Sequence, residues 1–235
     1  MIAFGAIAPH GDVDATPELR GAMEELGRRC TTDTVVLVTP HNVHVEGHFA
    51  VVTAGSIGEY EIDRALAEAV IEHARAERLP AVGVSYGGND PNEAEHPLDW
   101  GTEVPLRFLR PRNVVVVAPA RDRPLEEHVR LGKAIASAAA GRDVALVASA
   151  DHGHAHDPDG PYGFHPAAKR YDERFLELLE QTPLDFRPLV DLVGDAKADS
   201  LWQLLVLQGA VAGKAELLAY AAPTYYGMAV ATVAA

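Results

Sequence analysis

Four short apolar runs constrain this chain more than anything else in it. Ile2 to Ala8, Val35 to Val38, Val114 to Ala118 and Val144 to Ala148 are continuous rather than alternating. A strand with one face in water alternates apolar and polar residues, so a continuous run must be covered on both faces. The segments between them carry helix signals. Thr16-Pro17-Glu18 supplies an N-capping threonine, a proline at the first helical position and an early acid, opening a helix to about Cys30. Pro124 to Ala140 traces an apolar face through Leu125, Val129, Gly132 and Ile135, and Ile62 to Ala76, Ala167 to Leu179 and Asp199 to Gly209 also read as helices. A further helix opens near Asp99-Trp100-Gly101 and ends near Arg110-Pro111.

Weaker strand signals fill the rest. His48 to Ala54 reads as a strand returning along the sheet, Ala81 to Tyr86 as a short strand, and Lys214 to Ala221 and Tyr226 to Val233 as closing strands. Gly87-Gly88-Asn89-Asp90-Pro91-Asn92 is a loop of turn-forming residues. Strands alternating with helices predict one α/β domain over residues 1–235. It should have three layers, with a mainly parallel central sheet and helices on both faces.

Composition enters mainly by exclusion. A net charge of −14 disfavours nucleic acid and anionic membrane as partners. The single Cys30 excludes an internal disulfide framework and a cysteine-rich zinc site. No stretch approaches the roughly 20 apolar residues of a membrane-spanning helix. Met1 to Ala8 lacks the basic flank of a signal peptide and reads as the first strand, so a cytoplasmic location is expected. There is no GxGxxG or P-loop pattern, which leaves nucleotide binding without support.

The chemistry gathers where strands end. His10 follows the first strand in Pro9-His10, His41 follows the second in Thr39-Pro40-His41, and Ser149-Ala150-Asp151-His152-Gly153-His154 follows the strand at Val144. Open parallel sheets bind ligands at the carboxyl ends of their strands. A lone histidine after a strand is ordinarily a polar loop residue. Three at equivalent strand ends point instead to a metal or acid–base site, because neutral imidazole is a common metal ligand and titrates near neutral pH. His73 and His128 lie on helices among charged residues and read as surface; His44 and His48 have at most a place at the entrance. Asp157-Pro158-Asp159-Gly160 lacks the ligand spacing of a calcium loop and reads as a turn.

These residues also resemble a known family, the class III extradiol ring-cleavage dioxygenases, of the type of the catalytic subunit of protocatechuate 4,5-dioxygenase, and the related Memo-like proteins. Ala8-Pro9-His10, Thr39-Pro40-His41, Asp99 to Leu106, Ser149 to His154 and the closing Ala222-Pro223-Thr224-Tyr225-Tyr226-Gly227 carry the resemblance in order along nearly the whole chain. It implies that His10 and His41 ligate a non-haem Fe(II), with zinc or manganese as alternatives. The third ligand would be a carboxylate before a late apolar helix, Asp199 in first place and Asp195 in second. His154 would be the catalytic base, oriented by Asp151 or His152. Tyr162, His165, Tyr225, Tyr226, His152 and Trp100 would contact substrate. Many relatives have a histidine where this chain has Trp100, and His96 is the residue near enough in sequence to replace it.

The implied reaction opens the ring of a small aromatic diol with O2, in a homo-oligomer or with a small accessory subunit. Two alternatives stand beside it. One is a Memo-like metal-binding protein of the same fold without ring cleavage; the other is a zinc-dependent hydrolase, whose metal would suit the same ligands.

Overall fold

A computed structural model describes residues 2–86, 90 and 92–234. The order of elements is β1 (Ile2–Ala8), α1 (Pro17–Arg29), β2 (Thr34–Val38), β3 (Phe49–Val52), β4 (Ser56–Ile57), β5 (Tyr60–Ile62), α2 (Arg64–Ala76), β6 (Ala81–Val84), β7 (Glu95–His96) and α3 (Trp100–Leu109). It continues with β8 (Asn113–Ala118), α4 (Leu125–Ala138), β9 (Val144–Ser149), α5 (Pro166–Leu179), α6 (Val190–Ala196), α7 (Leu201–Ala210), β10 (Ala215–Ala221) and β11 (Met228–Val233). Of the loop expected at 87–92, Gly87, Gly88, Asn89 and Pro91 lie outside the described residues. Ile62 closes a strand rather than opening α2, which Asp63 caps by accepting from the Leu66 amide.

Among the described residues the strands form one mixed sheet in the order β10-β11-β1-β9-β2-β8-β5-β4-β7, with β3 on β8 and β6 on β3. Its centre is parallel: β9 lies between β1 and β2, and β2 also pairs with β8. β3 runs antiparallel to β8, as a returning strand does, and β11 runs antiparallel to β1.

The continuous apolar runs are explained by cover on both faces. In β2, Val36 and Val38 join a core built with α2, α4, α5 and α7, while Val35 and Leu37 join a second core under α1 and α3. β8 and β9 divide their residues in the same alternating way. The result is the three-layer α/β domain that the sequence predicts. No described helix is long and apolar enough to cross a membrane.

His128 departs from the sequence reading. It is fully buried, its Nδ1–H donates to the Pro124 carbonyl at 3.1 Å, and its edge meets the Phe49 ring at 5.0 Å. Burial pushes its pKa down to about 4. His128 belongs to the inward face of α4 with Leu131, Gly132 and Ile135. His73, by contrast, is exposed as expected.

Candidate metal centre

The strand order creates the site. Because β9 sits between β1 and β2 in parallel, the carboxyl ends of all three are neighbours, and they deliver His10, His41 and Asp151 to one place. Asp199 reaches the same place from the segment before α7. His10 Nε2 and His41 Nε2 lie 2.9 Å apart, and Asp199 Oδ2 is 3.5 and 3.3 Å from them. These three donor atoms all fall within 4.8 Å of one another. Asp151 Oδ2 is also 3.5 Å from His10 Nε2, and its Oδ1 accepts from the His10 amide at 3.1 Å.

Hydrogen bonding fixes how His10 presents itself. The Ser149 hydroxyl donates to the Gly101 carbonyl at 2.6 Å, so its oxygen is left to accept from His10 Nδ1–H at 3.0 Å. That assigns the proton to Nδ1 and turns a lone pair on Nε2 toward the cluster. Asp99 caps α3 by accepting from the Thr102 amide, and its Oδ2 accepts from Asn42, the residue after His41. Trp100 packs on the His41 ring at 4.9 Å between centroids. A Cβ at Gly101 would sit 2.4 Å from Thr39 Oγ1 and 3.2 Å from His41 Cδ2, so only glycine permits this approach. The Asp-Trp-Gly segment thus braces both histidines.

The donor set suits a divalent cation. Two imidazole nitrogens and one carboxylate oxygen form the set typical of non-haem iron, with positions left open. Asp199 Oδ1 is buried and has no hydrogen-bond donor among the described residues. The electrostatics agree. Burial opposes charge on His10, but Asp151 and Asp199 outweigh it and push its pKa up to about 9. Burial likewise disfavours ionised Asp199, yet His10 and His41 hold it well below the carboxylate range. Burial raises the Asp151 carboxyl, and the charge of Asp199 adds to it. The cluster therefore favours positive charge between its rings and carboxylates.

His154 stands beside the cluster on a strap pinned at several points. Its amide donates to the Ala196 carbonyl at 2.8 Å, Gly153 donates to Asp172 Oδ1 at 2.8 Å, and His152 donates to the Gly227 carbonyl at 2.8 Å. Its Nδ1–H donates to the His152 carbonyl at 2.7 Å, which leaves Nε2 as the proton-accepting nitrogen. The ring stacks on Tyr226 at 5.5 Å and meets Tyr162 and Tyr225, each at 6.0 Å.

These groups open onto one cavity of about 620 Å³, lined by His10, His41, Asp151, His154 and Asp199, the aromatic residues Trp100, Tyr162, Trp202, Tyr225 and Tyr226, and the cations Arg121 and Lys197. Of the residues picked from sequence, His10, His41, Asp199, His154, Asp151, Trp100, Tyr162, Tyr225 and Tyr226 converge here. Several others do not. Asp195 is exposed on α6 and lies outside the cluster, because it points away one turn before the chain enters the site.

His152 is fully buried beneath the strap, stacked on Phe175 at 3.9 Å and bonded to Ser200 Oγ, with its pKa pushed down to about 4 by burial. His165 caps α5 by accepting from the Ala167 amide. His96 is buried with Nε2 on Asn42 Oδ1 at 2.6 Å, so it braces the His41 loop rather than lining the cavity in place of Trp100. His44 and His48 are exposed and take no part in the lining. Asp157 makes the expected turn, accepting from the Asp159 and Gly160 amides.

Sequence reading passed over Arg121, Lys197 and Trp202 as lining residues and Ser149 as the support of His10. Only Ser149 had a local signal, its position at the end of β9.

In this fold imidazoles and a carboxylate meet at the carboxyl ends of adjacent parallel strands. The chain belongs to the family described as the catalytic LigB subunit of aromatic ring-opening dioxygenase, whose model matches residues 13–234. It is 26% identical over 212 residues to Protein CA_C1420 of Clostridium acetobutylicum, a match covering 80% of this chain and 45% of that protein. The chain thus spans about half the length of that relative. In fold it is similar to the uncharacterized protein JW3007 from Escherichia coli K12, with a TM-score of 0.69 and 15% identity over 98% of this chain and 99% of that one.

Proposed function

We propose that this protein is a non-haem Fe(II)-dependent extradiol dioxygenase that opens the ring of a catechol-type diol with O2. The observation that carries the reading is the triangle of His10, His41 and Asp199 facing the same cavity as the free Nε2 of His154. His10, His41 and Asp199 would hold the iron, which when bound lowers the pKa of a coordinated hydroxyl and brings diol and O2 to one centre.

The remaining work falls to the chain itself. His154 Nε2 takes the proton that a diol hydroxyl releases, and Nδ1 stays committed to the His152 carbonyl, so the ring cannot present the wrong tautomer. The same nitrogen can return that proton to the opening product. Asp151 holds the His10 backbone in place, its Oδ1 accepting from the His10 amide at 3.1 Å. Tyr162, Tyr225 and Tyr226 surround His154 and offer flat apolar surface to an aromatic ring. The diol supplies the electrons and both oxygen atoms enter the product, so no further reductant is required.

Anaerobic reconstitution with Fe(II), followed by catechols and O2, should give oxygen uptake and yellow ring-fission products. Equimolar iron binding with no oxygen uptake across a broad catechol panel would sink the dioxygenase reading and leave a metal-binding protein of the same fold.

A further inference from the structure

We propose that His41 is the ligand that opens to admit and release the metal, and that Trp100 is the positioning residue that keeps it closed; the inference rests on the metal centre of the reading above, not on ring cleavage. The three donor side chains differ in shelter. His10 is 2% exposed, Asp199 10% and His41 26%. His10 and Asp199 are thus enclosed, and His41 stands on the solvent side of the cluster.

The two rings are also held by different means. His10 Nδ1–H donates to Ser149 Oγ, and the His10 amide donates to Asp151. His41 has no such anchor. Its Nε2 faces His10 and Asp199, and among the described residues no group bonds its Nδ1. Its amide reaches Thr39 Oγ1 only at 3.4 Å, longer than an ordinary N–H···O bond. The next residue is fixed twice: Asn42 Nδ2 donates to Asp99 Oδ2 at 2.6 Å, and Asn42 Oδ1 accepts from His96 Nε2 at 2.6 Å. The main chain beside His41 is therefore anchored, while its imidazole stays free to turn about its side-chain bonds. A ligating histidine ordinarily gives its second nitrogen to an acceptor that fixes the ring. At His41 ring packing takes that part.

Trp100 supplies the packing. It is the first residue of α3, whose cap Asp99 also holds Asn42, so one carboxylate ties the tryptophan to the His41 loop. Its ring lies tilted on the His41 ring, 4.9 Å between centroids and 43° between planes. The edge-on contact with His10, 4.6 Å between centroids, is on the ligand side and does not stop His41 from swinging outward. Trp100 is itself 59% exposed. A ring left so open gains little from burial. Its removal should therefore free the His41 ring while leaving the fold nearly as stable.

The test is metal release from the full chain, followed anaerobically by stopped-flow transfer of Fe(II), and separately of Mn(II), to a chromophoric chelator with no diol or O2 present. Trp100→Ala should release metal about tenfold or more faster than the wild type, the scale of support lost behind a ligating histidine. Trp100→Phe keeps a flat face and should restore most of the slow release. The urea midpoint of the metal-free chain should be unchanged in Trp100→Ala, because alanine suits a helix; a merely structural role would lower it. Release within about twofold of the wild type in Trp100→Ala overturns the proposal. So does Trp100→Phe as fast as Trp100→Ala, or faster release matched by lost metal-free stability. The two readings fail separately. A wild type that binds neither metal overturns this proposal together with the metal centre, and one that binds metal but is indifferent to residue 100 overturns this proposal alone. Metal held through Trp100 with no catechol opened leaves it standing and sinks the dioxygenase reading.

Discussion

Ser149→Ala tests whether His10 is a prepared ligand. Ser149 is fully buried, and its hydroxyl links the Gly101 carbonyl at 2.6 Å to His10 Nδ1 at 3.0 Å. Alanine fits the space but leaves a buried carbonyl and a ring N–H without partners. One such unmet group costs about 1–3 kcal/mol. Loss of a hydrogen bond behind a ligating histidine ordinarily weakens metal binding by about 10–100-fold, or roughly 1.4–2.7 kcal/mol. The two estimates agree, so metal affinity should fall by one to two orders of magnitude. Competition with a chromophoric chelator, run anaerobically with Fe(II) and repeated with Mn(II), measures this, and urea unfolding of the metal-free variant measures the stability cost separately. If stability falls while affinity stays within about twofold, Ser149 is a packing residue and the tautomer argument is wrong.

Other substitutions probe the rest of the account. Asp199→Ala should abolish tight metal binding whereas Asp195→Ala should leave it intact, as read by metal content after gel filtration; equal effects would remove Asp199 from the site. Asp172 accepts from the Gly153 amide, His156 and Tyr220, so Asp172→Ala strands one buried and two partly buried donors. It should cost on the order of 3 kcal/mol and lower kcat more than it raises KM, because it loosens the strap carrying His154; an unchanged kcat would detach the strap from turnover.

Stability should also fall in acid. His128 and His152 have folded pKa values near 4 against about 6.5 unfolded, so between those values the unfolded chain binds more protons and stability rises with pH. Each contributes on the order of 3 kcal/mol that is present above pH 6.5 and gone by pH 4. His128→Phe should flatten the urea stability profile of chelator-treated protein by about that amount; parallel profiles would show that His128 is not held neutral.

The legible parts of the fold were those with a one-to-one physical signature. Continuous apolar runs reveal strands covered on both faces, and the chain then turns polar where each strand leaves the sheet, which is why His10, His41 and His154 stood out. Asp199 came through family resemblance, since nothing local separates it from Asp195; only the turn at Lys197 makes one exposed and the other buried.

β4, β5 and β7 run for only two or three residues, too short for periodicity to register. Residue type and charged neighbours point His128 to the surface, whereas the spacing of α4 puts 128 on the inward face. His152 looked like part of the richest histidine cluster, yet a shift of two residues along the strap takes it from the cavity into the core against Phe175. Arg121 and Trp202 meet across 81 positions of sequence, a contact that no local pattern encodes.

The central claim is that His10, His41 and Asp199 hold one iron. Metal analysis of anaerobically purified wild-type, His10→Ala and His41→Ala protein tests it most directly, with circular dichroism to confirm that each variant folds. The account predicts equimolar iron in the wild type and almost none in either folded variant. Iron content unchanged by both substitutions, or zinc retained in place of iron after reconstitution, would contradict it.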